Sequence, residues 1–227
     1  DGFIASIDEP IATYLPEWQN DTRGEITIHQ LLTMASGLEQ YGFSLSPFSK
    51  SFSWLYASDR APILFATRQL ETPGLSFDYN DINAQLLGII VSRASAKNYA
   101  DYLNEKLWQP LGAETSRIWL DHEGGMAMSA CCLLSPAMNW ARVGLLLKDE
   151  GRFNGRQLLP SEWVNAMITP NGLTPHYGLQ TWLASDIPNP RGDSSGFASS
   201  EVFLADDIVM LAGYGGQRVY ISRQKDL

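Results

Sequence analysis

The sequence predicts an α+β protein, with helices in the first and larger part of the chain and strands in the last part. Two observations carry this prediction. Apolar residues recur with the period of a helix before about Tyr177, and after it they alternate with the two-residue period of a strand. We therefore expect a mainly helical region over residues 1–176 and antiparallel strands over residues 177–227, which together form one functional domain.

Capping residues and apolar faces mark the predicted helices. Thr27-Ile28-His29-Gln30 is a capping box, in which Thr27 caps the helix and Gln30 reaches back to it. A longer apolar helix is predicted from Ile82, because Ile82, Leu86, Ile89 and Ile90 share one face. Further helices are predicted where Tyr99, Leu103 and Leu107 repeat every four residues, after the Ser135-Pro136 cap, and after Pro160-Ser161.

The predicted strands surround a glycine cluster near the end of the chain. Alternation predicts one strand over Tyr177–Leu183, and two more are predicted over Ile208–Ala212 and Arg218–Ser222. Residues 185–200 are rich in proline, glycine and serine, which predicts a long loop. Long loops of this kind often border active sites.

Composition excludes several classes of partner. The chain has 227 residues and a formal net charge of −9, from 16 basic and 25 acidic side chains. An acidic surface disfavours nucleic acid and anionic membranes, because both attract basic proteins. No apolar run reaches the length of a membrane span. The expected partner is therefore a small molecule.

The cysteines and histidines offer no metal site. Cys131 and Cys132 are adjacent, and we expect two buried thiols, because a disulfide between neighbours is strained. The three histidines are widely scattered, so no zinc-binding spacing exists. We expect no metal and no organic cofactor.

Tyr79-Asn80-Asp81 is the most informative motif, because it follows a Pro73-Gly74 turn and opens the apolar helix at Ile82. One interpretation of Tyr79 is structural: an aromatic ring packed at a helix start with its hydroxyl hydrogen-bonded. The other is a general base. A tyrosine with a pKa of about 10 serves as a base at neutral pH only if a cation stabilises its phenolate.

Seven segments resemble, in the same order, the class C β-lactamase-like branch of the serine β-lactamase and penicillin-binding-protein superfamily. They are Gly2–Ile11, Ile26–Leu38, Pro73–Tyr79, Pro110–Gly112, Cys131–Leu133, Ala141–Gly144 and Gly213–Arg218. The esterase and 6-aminohexanoate-dimer-hydrolase-like group is the most similar. The resemblance implies a β-lactamase/transpeptidase-like fold, with a helical region packed on an antiparallel sheet. It also implies an acyl-enzyme mechanism, and it favours a periplasmic or secreted location.

The resemblance assigns catalytic roles at the helix start. Tyr79 would take the proton from a nucleophilic serine and return it to the leaving group. Asp81 would hydrogen-bond a lysine ammonium or orient the substrate, or it would be a carboxylate that the helix dipole stabilises. Asp81 stands where the family usually has asparagine, and it disfavours an anionic substrate close by.

The resemblance assigns binding roles to the glycine cluster. Gly215 and Gly216 would let a substrate lie along the strand edge, unless they only form a strand bulge. The N–H of Gln217 would form half of an oxyanion hole, and Tyr214 would line the pocket. Tyr214 stands where the family usually has lysine or histidine, and this departure favours ester or unusual amide substrates. Trp54 and Tyr56 either wall an acyl pocket or pack within a loop.

The family's Ser-x-x-Lys nucleophile would precede residue 1. Within the chain only Ser222-Arg223-Gln224-Lys225 matches this pattern, and we expect a turn there. The sequence is therefore expected to be incomplete at both ends. Three hypotheses remain: a serine hydrolase acting on a small ester or amide, a degenerate relative that only binds ligands or a partner, and a β-lactamase or D-alanyl-D-alanine peptidase. The sequence leaves the oligomeric state open.

Overall fold

The computed structural model describes residues 2–42, 46–184, 205–213 and 215–227. Tyr214 and the predicted loop over residues 185–200 lie outside these ranges. The chain forms two compact units. The first contains Asp1–Leu103 and Arg117–Leu134, and the second contains Asn104–Ser116 and Ser135–Leu227. The predicted boundary between residues 176 and 177 falls inside the second unit.

The first unit is mainly helical. Three short 3-10 helices, Ile11–Thr13, Pro16–Trp18 and Thr22–Glu25, precede its α-helices. These are α1 (Ile28–Leu32), α2 (Lys50–Tyr56), α3 (Ala61–Phe65), α4 (Asp81–Ser95) and α5 (Tyr99–Leu103). Strands β1 (Arg117–Ile118) and β2 (Leu133–Leu134) pair antiparallel. The core buries side chains from the 3-10 helices, α1 and α4, including Ile11, Trp18, Leu31, Ile82 and Leu86.

Two helix predictions in this unit are confirmed in detail. Thr27 and Gln30 form both hydrogen bonds of the capping box at α1. The predicted face of α4 is buried, with Ile82, Leu86 and Ile90 almost inaccessible to solvent. The helix predicted from Tyr99 begins as α5 and continues as one π-helical turn over Asn104–Trp108.

The expectation of two free thiols is wrong, because Cys131 and Cys132 form a disulfide. Cys132 adopts a left-handed backbone conformation, with φ of 69°, and both residues are half-buried. The disulfide and a left-handed cysteine, a conformation uncommon outside glycine, therefore occur at the same place.

The second unit packs helices against a small antiparallel sheet. It contains α6 (Ala137–Lys148), α7 (Ser161–Met167), and a hairpin of β3 (Arg152–Phe153) and β4 (Arg156–Gln157). Strands β5 (Trp182–Leu183), β6 (Val209–Ala212) and β7 (Arg218–Ile221) form a sheet in that order. Leu147 of α6 and Val164 of α7 pack with Leu183, Val209 and Ile221 in its core.

The continuous strand predicted over Tyr177–Leu183 is wrong in its first part. Tyr177 forms an antiparallel bridge with Trp182, and Gly178 N–H donates to the carbonyl of Thr181, so the segment folds back on itself. Gln180 is left-handed at the turn, with φ of 59°. The alternating residues Tyr177, Leu179 and Leu183 are buried in this turn, but Trp182 of the opposite set is buried too, so the pattern does not mark one face of a strand.

The predicted cap of α6 is also corrected. The helix begins at Ala137 after Pro136, and its N-cap makes no side-chain hydrogen bond. Ser135 instead accepts a hydrogen bond of 2.9 Å from Asn139 Nδ2 and contacts Ser116 Oγ at 2.7 Å. Ser135 is therefore hydrogen-bonded to the buried side chain of Asn139 instead of capping the helix, and no local sequence pattern indicates this contact.

Gly88 of α4 is expected to be a sensitive packing position in the first unit. A Cβ at Gly88 would lie far inside van der Waals contact with both Oγ and Cβ of Ser129. We expect Gly88→Ala to lower the free energy of unfolding by about 1–3 kcal/mol, as overpacked sites do. Adding Ser129→Gly to Gly88→Ala should recover part of this loss. Urea unfolding of Gly88→Ala, of Ser129→Gly and of the double variant measures the coupling between the two positions. If the stability loss of the double variant equals the sum of the two single losses, the predicted contact is contradicted.

No helix among the described residues is long and apolar enough to cross a membrane.

Candidate active site

Tyr79 lies directly before the start of α4, as the motif predicts. Asn80 is the N-cap residue, and its Oδ1 accepts a hydrogen bond of 3.0 Å from the N–H of Ile82. Asp81 is the first residue of the helix. Because Asn80 is buried and its side chain is committed to the cap, the backbone on both sides of it is fixed.

A second segment holds the residues around Tyr79 in place. Gln40 Nε2 donates to the carbonyl of Tyr79 at 2.8 Å, and Asn80 Nδ2 donates to the carbonyl of Leu38 at 2.9 Å. The N–H of Asp78 donates to the carbonyl of Met34 at 2.8 Å. Hydrogen bonds to three consecutive residues therefore attach this loop to the chain that follows α1.

The supporting segment is itself anchored to α4. Ser36 Oγ donates to Oδ1 of Asn83 at 2.6 Å, and both side chains are buried. Nδ2 of Asn83 contacts Sδ of Met34 at 3.4 Å, and Met34 is left-handed with φ of 57°. A non-glycine residue in that conformation is strained, and such strain persists only where surrounding contacts impose it.

The electrostatics of this site oppose ionisation of the tyrosine. Burial, and to a lesser extent the charge of Asp81, raise the pKa of Tyr79 to about 12. Burial also raises the pKa of Asp81, although water reaches its side chain, because the surrounding protein displaces part of its solvent. Within the part of the chain that the structure describes, the Asp81 side chain has neither a hydrogen-bond nor an ion-pair partner. In this surrounding, Tyr79 is a weaker acid than a free tyrosine.

We expect Asp81→Asn to lower the pKa of Tyr79 and to stabilise the fold at neutral pH. The pKa of Asp81 is higher in the folded chain than its ordinary value of 3.8, so the folded state holds the proton to higher pH. Stability therefore falls as pH rises between the two pKa values, and the loss persists at neutral pH. Asparagine removes both this penalty and the repulsion of the phenolate.

NMR titration of ring-labelled tyrosine, with Tyr79→Phe to assign the signal, measures the first effect, and urea unfolding as a function of pH measures the second. Asp78→Asn, in the same loop, is the matched control for loss of one negative charge. An unchanged Tyr79 pKa in Asp81→Asn would contradict the electrostatic account of this pair.

The glycine cluster forms the turn between β6 and β7. Gly213 N–H donates to the carbonyl of Gln217 at 2.9 Å, and Gly216 N–H donates to that of Gly213 at 3.0 Å. Gly216 has φ of 86°, a conformation that glycine adopts without strain. Among the described residues the N–H of Gln217 has no acceptor, and Gln217 is exposed.

The predicted site residues fall into two groups. Tyr79 and Asp81 lie together in the first unit, and Gly215, Gly216 and Gln217 lie together in the second. Tyr214, predicted to line the pocket, lies outside the described residues.

Three secondary sequence expectations have clear outcomes. Trp54 lies in α2 rather than in a loop, is buried in the core, and packs edge-on against Tyr41 with ring centroids 6.3 Å apart. Tyr56 is exposed, and its ring lies tilted against that of Phe52, with the ring centroids 4.7 Å apart. The Ser222–Lys225 segment is a turn, as expected, and Ser222 Oγ donates to Asp207 at 2.6 Å.

One groove in the described part of the chain lies apart from Tyr79 and Asp81. A groove of about 610 Å³ on the first unit is lined by residues 69–73 with Thr22, Glu25 and Gln30, and it does not include Tyr79 or Asp81. Among the described residues, no group of three or more histidine, cysteine, aspartate or glutamate side chains could hold a metal ion.

Four polar residues that support Tyr79 were given no role from the sequence: Ser36, Gln40, Asn80 and Asn83. The cap role of Asn80 could have been predicted, because asparagine directly before an apolar helical run is a cap signal. The other three act across more than 35 residues of chain, as the separations of 39 and 47 residues show, and no local pattern marks them.

Comparison with known families decides the relationship. The family model named Beta-lactamase matches residues 4–217. The chain belongs to the Beta-lactamase family. The resemblance found in the sequence is thereby confirmed, and the matched region includes Tyr79, Asp81 and the glycine cluster.

Individual relatives agree with this family. The 6-aminohexanoate-dimer hydrolase of Paenarthrobacter ureafaciens is 23% identical over 211 residues, which is 83% of this chain and 53% of that protein. A Bacillus anthracis structure, provisionally named 6-aminohexanoate-dimer hydrolase, superposes with a TM-score of 0.75 at 21% identity, over 99% of this chain and 59% of that one. A D-stereospecific amidohydrolase from Streptomyces superposes with a TM-score of 0.59 at 18% identity, covering 96% and 73%.

These superpositions confirm the α+β, β-lactamase/transpeptidase-like fold. The chain spans about half of the length of the curated 6-aminohexanoate-dimer hydrolase that it matches.

Proposed function

We propose that this chain is part of a serine hydrolase that cleaves an ester or amide bond through an acyl-enzyme, with Tyr79 as the general base. The observation that carries the proposal is the fixed position of Tyr79, which adjoins a capped helix and is held by a second segment. The nucleophilic serine and a lysine, in a Ser-x-x-Lys helix, are proposed to lie in polypeptide that precedes residue 1 in the intact protein.

The proposed lysine would supply the positive charge that Tyr79 needs in order to ionise. Tyr79, with its pKa raised to about 12, holds its proton at neutral pH in this surrounding. An ammonium beside the phenolate favours the charged form and lowers the pKa. Asp81 would accept a hydrogen bond from that ammonium, which would also offset the cost of its own partly desolvated carboxylate.

The proposed steps rest on the chemistry of these groups and on the roles that the family resemblance assigns to them. Tyr79 phenolate would take the proton from the serine hydroxyl while the serine oxygen attacks the substrate carbonyl. The resemblance assigns the N–H of Gln217 to the oxyanion that forms, and the phenol of Tyr79 would return its proton to the leaving alcohol or amine. Tyr79 phenolate then takes a proton from water, whose oxygen attacks the acyl carbonyl. The bond from the acyl carbon to the serine oxygen breaks, Tyr79 returns the proton to that oxygen, and the acid leaves.

One observation favours a substrate without a carboxylate near Tyr79, and a second favours cleavage of an amide. Asp81 is an acidic side chain beside Tyr79, and like charges at short range repel. The names of the relatives, a 6-aminohexanoate-dimer hydrolase and a D-stereospecific amidohydrolase, refer to amide-cleaving enzymes. By this proposal Gly215, Gly216 and Tyr214 line the path of the substrate.

Pre-steady-state hydrolysis tests the proposal. We expect the intact protein to release a chromogenic alcohol from a neutral ester in a burst equal to the enzyme concentration, followed by slower turnover. Amide and penicillin substrates run in parallel separate an esterase or amidase from a β-lactamase or a D-alanyl-D-alanine peptidase. A stable penicillin adduct without ester turnover would favour the peptidase.

A second candidate function is ligand binding without catalysis. The observation that favours it is the high pKa of Tyr79 within this chain, which leaves no base at neutral pH unless a cation is supplied. Binding of a neutral ester that the intact protein does not hydrolyse would support this alternative over the hydrolase.

A further inference from the structure

The Cys131–Cys132 disulfide is outside the proposed catalytic groups and has no part in the hydrolytic steps. The two residues are neighbours in sequence, and their Cα atoms are 3.8 Å apart. This is the ordinary separation of two residues joined by a trans peptide, and most disulfides instead join residues whose Cα atoms are about 4.4–6.8 Å apart. Both residues are half-buried, so a small reagent can reach the pair from solvent.

The backbone at this disulfide is strained. Cys132 has φ of 69°, in the left-handed region where a side chain with a Cβ is disfavoured. The covalent ring holds the residue there. Strained or exposed disulfides are the labile ones, whereas relaxed and buried disulfides resist reduction.

The strained residue is connected to regular structure on one side. The carbonyl of Cys132 accepts a hydrogen bond of 3.3 Å from the N–H of Trp119, directly beside the pairing of β1 with β2. The N–H of Met128 donates in turn to the carbonyl of Trp119 at 2.9 Å. A change in the backbone of Cys132 would therefore first disturb the pairing of β1 with β2.

The segment before the disulfide is fixed to α4. Buried Gln85 donates through Nε2 to the carbonyl of Ala127 at 2.7 Å, and Ser129 Oγ donates to the carbonyl of Ala84 at 3.1 Å. The side chain of Ser129 also packs against Gly88 of α4, in the space that a Cβ at Gly88 would fill. Residues 127–129 are thus held by contacts other than the disulfide, whereas Leu133 and Leu134, directly after it, are held by their pairing with β1.

We propose that Cys131–Cys132 is a reversible thiol–disulfide modification site, which takes small thiols and dithiols as reductants and small disulfides as oxidants. One thiolate of a dithiol attacks a cysteine sulfur, breaks the Cys131–Cys132 bond and forms a mixed disulfide. Its second thiol displaces the protein sulfur and leaves as a cyclic disulfide. Two electrons and two protons move to the protein, which then carries two adjacent thiols.

Opening the ring frees Cys132 to leave the left-handed region. The Trp119–Cys132 hydrogen bond and the β1–β2 ribbon should then loosen, while the contacts of Gln85 and Ser129 with α4 persist. The site is independent of the proposed hydrolase, because none of these residues takes part in the catalytic steps.

Peptide mapping of the intact protein, purified without reductant, tests the proposal. Trypsin should yield one peptide over residues 118–142 that contains both cysteines. We expect this peptide to resist iodoacetamide before treatment with dithiothreitol, and to take two labels after brief treatment of the folded protein. Oxidised glutathione should restore the unlabelled form, which is lighter than the reduced peptide by two hydrogen atoms.

Hydrogen exchange supplies the second readout. Reduction should accelerate exchange at Trp119 and over residues 131–134, and leave α4 unchanged. Cys131→Ser/Cys132→Ser should show no response to reductant, which controls for other disulfides. The proposal would be overturned if both cysteines take iodoacetamide before any reductant is added and oxidised glutathione does not restore the disulfide. It would also be overturned if the disulfide survives dithiothreitol in the folded protein. The wild-type labelling decides the matter even if the double variant does not fold.

Discussion

Replacing Tyr79 by phenylalanine in the intact protein is expected to lower the rate of acylation by about 10²–10⁴-fold, the usual contribution of a general base. The ring and its packing remain, and only the hydroxyl is lost. The backbone contacts that position this residue come from Gln40, Asn80 and Asp78, so folding should be unaffected. Single-turnover kinetics with a chromogenic ester measures the rate, and circular dichroism checks the fold.

Tyr99→Phe is the matched control, because burial raises the pKa of Tyr99 as it does that of Tyr79. Tyr99 lies in α5, away from the start of α4. We expect its acylation rate to equal that of the wild type. Near-normal acylation by Tyr79→Phe would remove Tyr79 from the mechanism, whatever the control shows.

Gly37→Ala is expected to cause a large loss of both stability and activity. Gly37 has φ of 68°, and its Cβ would lie far inside van der Waals contact with the backbone carbonyl of Glu71. The carbonyl of Gly37 also accepts hydrogen bonds from the N–H groups of Leu70 and Glu71. We expect about 1–3 kcal/mol from overpacking, in addition to about 1–2 kcal/mol from the left-handed conformation.

Activity should fall as well, because the chain around Gly37 carries the contacts that hold Tyr79. Leu38 accepts from Asn80, and Gln40 donates to Tyr79. Gly42→Ala separates the two causes, since Gly42 has φ of 65° but a Cβ added there would meet no described atom within 4 Å. It should lose only about 1–2 kcal/mol and keep its acylation rate. Equal losses in urea unfolding for Gly37→Ala and Gly42→Ala would show that the contact with Glu71 does not matter.

Local patterns predicted the parts of the fold that depend on neighbouring residues. The capping box at Thr27 needs only two residues three positions apart, and the buried face of Ile82, Leu86 and Ile90 needs only the helical period. The place of Tyr79 at a helix start follows from the same periodicity. These features are local, so tertiary contacts did not displace them.

Features that depend on distant contacts could not be read in this way. Ser135 was diverted from its cap by Asn139 and Ser116, and the predicted strand at Tyr177 became a turn that pairs with Trp182. The ring between Cys131 and Cys132 occurs with a left-handed backbone at Cys132, which no composition or spacing indicates.

In the candidate site, too, local patterns were predictable and distant contacts were not. Tyr79 and Asp81 were found from the motif, but the support from Ser36 and Asn83 joins residues 47 positions apart. The raised pKa of Asp81 depends on how much protein surrounds it, which the sequence does not specify. The residue types of the site were thus predictable, whereas their protonation and support were not.

The most direct test of the central claim is intact-mass spectrometry of the intact protein before and after incubation with a fluorophosphonate serine probe, followed by peptide mapping. The account predicts one adduct, on a serine in polypeptide that precedes Asp1, and slower labelling in Tyr79→Phe. An intact protein that takes no adduct, or takes it on Ser222, would contradict a Ser-x-x-Lys hydrolase with Tyr79 as its base.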